Sequence, residues 1–211
     1  MGSLEIGKVG EQTPKRGDHI CCIYSDENQH KVAMSELLKS QILKGYKVLY
    51  ILDNHLQRTI ERYLRALGLD PHPIIDRGQL GFVSADQSYL NHGTFNPDEM
   101  ISLLDRETKH ALSQGYPGLF VTGEMTWAQR GFSRYDKLIE YEAMCADFFA
   151  ANNCLAACQY SRWHFPSEIL DYILRTHNMI WEKTGTNYNG RGFPGRLNVT
   201  AGSLYGESGR N

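Results

Sequence analysis

Short apolar runs alternate along this chain with longer stretches whose apolar positions recur at helical spacing. His19-Ile20-Cys21-Cys22-Ile23-Tyr24 suits a buried strand. Ser25-Asp26-Glu27-Asn28 follows as a helix start, with an oxygen cap and acids at the positive helix end. Val32, Ala33, Leu37, Leu38 and Ile42 then repeat as one helical face that stops at Gly45. Lys47 to Leu52 reads as a second strand, and Leu56, Ile60, Leu64 and Leu67 as a helix ended by Gly68. Pro71 and Pro73 punctuate an expected loop. Leu80 to Val83 is the third strand, and Asn96-Pro97 opens a helix running to about Gln114. Strands at Leu119–Thr122, Leu155–Gln159 and Met179–Trp181 are separated by helices over Tyr135–Ala151 and Pro166–Thr176.

Strand–helix alternation with nearly continuous apolar strands predicts an α/β fold of three layers: a mostly parallel sheet with helices on both faces. Its crossovers are expected to be right-handed. The first seventeen residues are polar and read as a flexible N-terminal arm (1–17), followed by one α/β domain (18–182). After Lys183 glycine dominates, with little to bury, so 183–211 reads as a Gly-rich tail.

Composition narrows the function classes. The 211 residues carry 22 basic and 24 acidic side chains, a formal net charge of -2, which argues against a large nucleic-acid footprint. Five cysteines, an odd number, do not make a secreted disulfide framework. No basic-then-apolar leader and no membrane-length apolar run is present, so the expectation is a cytoplasmic protein with reduced thiols and no membrane partner.

In open parallel sheets, ligands bind beyond the carboxyl ends of the strands. That rule nominates Tyr24, Asp53, Ser84, Glu124 to Trp127 and Gln159 to Arg162. A phosphate-cradling loop after the first strand would need glycines, a lysine and a Ser or Thr for the metal. Ser25 to Lys31 has no glycine and two acids that would repel a triphosphate.

Five segments in order resemble the MEDS domain, the sensory domain of methanogens and methylotrophs found in DcmR-like proteins. They are Gly17-Asp18-His19-Ile20-Cys21, then Gly45 to Ile51, then Gly115-Tyr116-Pro117-Gly118-Leu119 with Val121-Thr122-Gly123-Glu124-Met125-Thr126-Trp127-Ala128, then Leu138-Ile139-Glu140-Tyr141-Glu142, and finally Cys158-Gln159-Tyr160 with Phe165-Pro166. The resemblance spans Gly17 to Trp181 and implies a RecA/KaiC-like fold whose nucleotide loop has been lost. It implies sensing of a small hydrocarbon-derived ligand and action through a signalling or transcription-regulatory protein partner. Members occur alone or fused to DNA-binding or histidine-kinase modules, and no such module is read in this sequence.

The expected ligand site comprises Tyr24, Glu124, Trp127, Arg130, Tyr160 and Arg162, with no cofactor, no metal and no direct contact with nucleic acid. Glu124 follows Gly123 and would accept hydrogen bonds from a ligand or from Arg130; a structural salt bridge or helix cap is the alternative. Trp127, Tyr160 and Tyr24 would supply aromatic walls with polar handles, or pack at the edge of the core. Arg130 and Arg162 would neutralise Glu124 or an anionic ligand, or remain solvated. His19, at the opposite strand end, reads as structural, and His177 as a partial cation at a helix C-terminus. Glu140 and Glu142 read as charges on an exposed helix face. Cys154 and Cys158 share one strand face, but no C-x-x-C occurs, and a zinc site would need Cys and His to converge from separate segments. No nucleophile has an identifiable base partner, so catalysis is not supported. The alternatives are a degenerate nucleotide-binding protein or NTPase-like enzyme, a ligand-free interaction scaffold, and a redox or metal sensor through Cys21, Cys22, Cys154 and Cys158. A homo-oligomer is a further option.

Overall fold

A computed structural model describes residues 13–130 and 135–181. Among the described residues are six strands and six α-helices, alternating except that α2 and α3 lie together: β1 (His19–Tyr24), α1 (Glu27–Leu43), β2 (Lys47–Leu52), α2 (Gln57–Ala66), α3 (His72–Asp76), β3 (Leu80–Ser84), α4 (Pro97–Ser113), β4 (Leu119–Glu124), α5 (Asp136–Ala151), β5 (Cys154–Ser161), α6 (Ser167–Thr176) and β6 (Met179–Trp181). Every strand pairing is parallel, in the order β3-β2-β4-β5-β1-β6.

That order divides the helices. The chain moves outward from β1 to β2 and β3, then returns through β4, β5 and β6 in the opposite direction. With right-handed crossovers, reversal of direction puts α1, α2 and α3 on one face and α4, α5 and α6 on the other. The buried side chains separate in the same way. Ile20, Cys22, Val48, Tyr50, Phe120 and Leu155 pack with α1 to α3. Cys21, Ile23, Val121, Ala156, Cys158 and Tyr160 pack with α4 to α6. Alternate residues of one strand thus serve different layers, the period-two rule of extended backbone. All five cysteines are buried in these layers and no disulfide links them.

Local chemistry sets the element ends. Asp26 caps α1 by accepting from the Gln29 N–H at 2.8 Å, and Asn96 caps α4 by accepting from the Asp98 N–H at 3.0 Å. Gly45 and Gly115 take left-handed backbone (φ +83 and +86) to turn the chain into the next strand or its approach. The expected loop at Pro71 and Pro73 is instead the short helix α3. Prolines there occupy a helix start, where no intrahelical N–H is required. The strands β4 and β5 also run further than the sequence pattern suggests, to Glu124 and Ser161.

Of the expected arm 1–17, residues 1–12 lie outside the described residues, whereas residues 14–17 are tied to the body. The Gly17 N–H donates to the Cys154 carbonyl at 3.0 Å, Arg16 Nε to the Asn152 carbonyl at 3.2 Å, and Lys44 Nζ to the Pro14 carbonyl at 2.6 Å. The expected tail 183–211 lies outside the described residues. Among the described residues no helix is long and apolar enough to cross a membrane.

Gly118 passes so close to the neighbouring strand that a Cβ there would stand 2.3 Å from the Asn153 carbonyl oxygen. Backbone cannot give way as a side chain can. Gly118→Ala is therefore expected to cost about 1–3 kcal/mol, read as a lower urea midpoint with an unchanged slope.

Candidate functional site

The direction reversal creates a crevice at the carboxyl end of the sheet. β1 and β5 are neighbours, yet β1 leads to α1 on one face and β5 to α6 on the other. Where outgoing connections diverge, the space between them is left open. A cavity of about 440 Å³ occupies this place. It is lined by Tyr24 at the end of β1, Ser25 and Asp26 of the connection and Glu27 at the start of α1, from the β2–α2 loop by Asn54 and His55, and by Ser161 at the end of β5 with Trp163 and His164 of the turn after it. Trp163 is 82% exposed, and its indole N–H donates to the Ser25 carbonyl across the cavity mouth.

The floor beside this cavity is a polar cluster on the α1–α2 side. Glu124, at the end of β4, is buried. Its Oε2 accepts the backbone N–H groups of Asp53 at 3.0 Å, of His55 at 2.9 Å, and of Asn54 between them. Its Oε1 pairs with His55 Nδ1 at 3.1 Å. His55 Nε2 faces Glu27 Oε2, also at 3.1 Å, so one imidazole bridges a buried and an exposed carboxylate. Tyr63 donates its hydroxyl hydrogen to the other oxygen of Glu27. His30 stacks on His55, with centroids 4.0 Å apart and planes 8° from parallel, and lies against Tyr24 at 4.8 Å. Gln159 completes the floor. Its Oε1 is 2.8 Å from His30 Nε2 and 3.1 Å from the Tyr50 hydroxyl, and its amide donates to Thr122 Oγ1 at 2.8 Å. Thr122 in turn donates to the Ala157 carbonyl at 2.8 Å.

These contacts fix the charges. Burial alone would drive His55 to the neutral form, but hydrogen bonding and charge from Glu124, then from Glu27, raise it to about 9. Burial works against the Glu124 carboxylate too, and the hydrogen bond and charge of His55 outweigh it, so the group stays below the ordinary range. Burial, with the neighbouring His55 charge, pushes His30 down to about 4. At neutral pH the site holds an imidazolium between two carboxylates, roofed by a neutral imidazole. Glu27, His30 and His55 bring ligand atoms within 4.8 Å of one another. A cation there would compete with the proton that His55 shares with both carboxylates.

The structure distributes the six sequence-nominated residues unevenly. Tyr24 lines the cavity and Glu124 anchors its floor. Arg130 does not neutralise Glu124. It pairs with Asp53 and, at 3.0 Å, with Asp86, and His55 takes the expected role beside Glu124. Arg162 donates its backbone N–H to the Tyr24 carbonyl at 2.9 Å, next to the cavity, and its side chain is exposed. Trp127 and Tyr160 are not brought there. Trp127 stacks on Tyr89 at 4.6 Å inside the α4–α5 layer. Tyr160 lies within β5 rather than beyond it, so strand alternation turns it to the α5–α6 side, where its hydroxyl donates to Glu142. Glu142 itself is fully buried, not an exposed-face charge. His177 is also buried and stays neutral at pH 7, lowered to about 3 by burial and the neighbouring His19, so it is no helix-end cation. Sequence reasoning missed Glu27, His30 and His55. His30 lies one helical turn past a strand exit, a position the carboxyl-edge rule covers only when the first helical turn is counted.

The all-parallel sheet, the divided helices and the crevice at the reversal define a three-layer α/β protein of RecA/KaiC-like fold. Two solved structures share it at low identity. The flagellar accessory protein FlaH from Methanocaldococcus jannaschii superposes with a TM-score of 0.55 at 12% identity, covering 82% of this chain and 73% of that one. A KaiC-like protein from the hyperthermophilic archaeon Pyrococcus horikoshii OT3 gives 0.53 at 11% identity, covering 76% and 69%. No curated protein matches the sequence. The sequence matches the MEDS family, the "MEthanogen/methylotroph, DcmR Sensory domain", over residues 18–178, and the chain belongs to that family of sensory domains.

Two measurements test the polar floor. Glu124→Ala leaves three N–H groups without their acceptor and the half-buried His55 imidazolium with Glu27 alone, and is expected to cost about 3–5 kcal/mol in denaturant unfolding. For His55, folding raises the proton affinity, so the stabilisation is full below its ordinary value of 6.5 and is lost as pH rises through about 9. The stability difference between wild type and His55→Asn is therefore expected to shrink across that window.

Proposed function

We propose that this chain is a ligand-sensing domain whose cavity, at the carboxyl ends of β1 and β5, takes a small organic molecule of hydrocarbon type bearing little or no charge. The observation that carries this reading is the β1–α1 connection. It consists of Ser25 and Asp26 alone, and the start of α1 is already served by the Asp26 carboxylate and faced by Glu27. A phosphate cradle needs a longer run of free backbone N–H groups at that helix end. Here the chain's own acids stand where phosphate oxygens would be, and the space beside them is left to something that carboxylates do not repel.

The lining suits that occupant. Tyr24 and Trp163 offer ring faces, and Asn54, Ser25 and Ser161 offer a few polar groups for orientation. The response element is the β2–α2 loop, which is held by Glu124 on one side and reaches Glu27 of α1 through His55 on the other. A ligand shifts such an element only through different affinity for two arrangements. Contact with Asn54 and His55 supplies that difference, because the Glu27–His55 pair sits at the cavity wall and one partner is solvent-exposed. Output passes to a signalling or transcription-regulatory protein that reads the rim formed by the β2–α2 loop and Trp163.

Native mass spectrometry of the chain isolated from its own cells is expected to show a retained small organic molecule. Trp163→Ala, which opens the mouth without touching the sheet, is expected to weaken retention about tenfold or more. Tight occupancy by a magnesium nucleotide instead would overturn the reading.

A further inference from the structure

On the α4–α6 face of the sheet, opposite the polar floor, four side chains with metal-ligating atoms meet inside the core. His19 opens β1, Glu142 lies in α5, Cys158 in β5, and His177 follows α6. Pairing of His19 with Ala156 places Cys158 two residues further along the adjacent strand, and alternation turns both side chains to the α5–α6 face. Glu142 Oε2 stands 3.1 Å from His19 Nε2 and 3.4 Å from His177 Nε2, and His19 Nε2 stands 3.4 Å from Cys158 Sγ. All four ligand atoms lie within 4.8 Å of one another. We propose that His19, Glu142, Cys158 and His177 form a closed, four-ligand site for a zinc ion.

The hydrogen bonds around the cluster leave this role open. His177 Nδ1 is 2.8 Å from the Ile173 carbonyl, which can only accept, so Nδ1 carries the proton and Nε2 presents a lone pair inward. That lone pair faces Glu142 Oε2, another acceptor. His177 Nε2 has no hydrogen bond, Glu142 Oε2 meets a nitrogen only at His19 Nε2 and His177 Nε2, and both atoms are buried. Two acceptors turned toward each other in a dry interior call for a cation between them. The outer contacts are those that orient metal ligands: a backbone carbonyl on the far nitrogen of His177, and the Tyr160 hydroxyl on the far oxygen of Glu142.

Spacing and charge agree with zinc. Zinc binds nitrogen and oxygen at about 2.0–2.2 Å and thiolate at about 2.3 Å, so neighbouring ligands of a tetrahedron stand roughly 3.3–3.6 Å apart. The three contacts between ligand atoms given above already approach those edges. When the ion enters, Cys158 releases its thiol proton to solvent, and His19, which faces Glu142 through Nε2, gives up the hydrogen on that nitrogen and binds through it with its one remaining proton on Nδ1. One thiolate and one carboxylate then balance the divalent charge, and the filled site is neutral, which suits a core position. With no open coordination position, the ion would be structural, joining β1, β5, α5 and the end of α6. The site is separate from the cavity, and neither proposal depends on the other.

The full-length chain, purified without chelator, is expected to carry one zinc per molecule by elemental analysis. The chelator-stripped, folded chain titrated with Co2+ is expected to show the visible bands of tetrahedral cobalt and a near-ultraviolet thiolate-to-cobalt charge-transfer band. Cys158→Ala is expected to abolish the charge-transfer band and weaken zinc binding at least 100-fold, whereas Cys145→Ala leaves both unchanged. Tyr160→Phe, which keeps all four ligands, is expected to weaken zinc binding about 10–100-fold. A folded wild-type chain that takes up no Zn2+ or Co2+, a cobalt spectrum without the charge-transfer band, or wild-type affinity in Cys158→Ala would overturn the proposal. Should Cys158→Ala fail to fold, the cobalt spectrum of the wild type decides thiolate ligation alone.

Discussion

The buried carboxylate of Glu124 is the constraint on which the carboxyl edge of this protein depends. One oxygen gathers three successive backbone N–H groups of the β2–α2 loop, and the other holds the imidazolium of His55. A carboxylate at the end of a buried strand is costly unless fully satisfied. Here the satisfaction comes from a different segment, so burial of Glu124 and the shape of the loop require each other. His55 extends the link to Glu27 and hence to α1. Three connections that leave different strands are therefore coupled through one charged pair.

That coupling extends to the start of the first helix. In the arrangement seen here, two residues separate the first helix from β1, and its N-terminal region faces carboxylates from the chain itself. The cationic partner of Glu27 is His55 of the neighbouring loop. The charge balance of the edge is internal.

Much of the architecture was legible in the sequence. The six apolar runs, an oxygen cap at the start of α1, the Asn96 cap and the glycines after α1 and α2 all sit where the pattern places them. What the pattern misplaced follows from strand length and alternation. Ending the fifth strand at Gln159 makes Tyr160 a strand exit, whereas two further residues of extended backbone turn its ring to the opposite layer and put Gln159 beneath the cavity. Glu142 looked like surface because a lone acid on a helix usually is. Its partners, His19, Tyr160 and His177, come from three other elements that no local spacing connects. His55 escaped notice for the same reason, since its two carboxylates lie 28 and 69 residues away.

The Ala157 carbonyl has a consequence that reaches beyond its own strand. It accepts from Thr122, which leaves the Thr122 oxygen to receive the Gln159 amide and turns the Gln159 oxygen toward His30. Every hydrogen in this series points in one sense, because its terminus has none to give. The imidazole of His30 is thereby locked as the Nε2–H tautomer, with Nδ1 its sole basic nitrogen. A second proton can be received only there, and its arrival would set one imidazolium face to face with another.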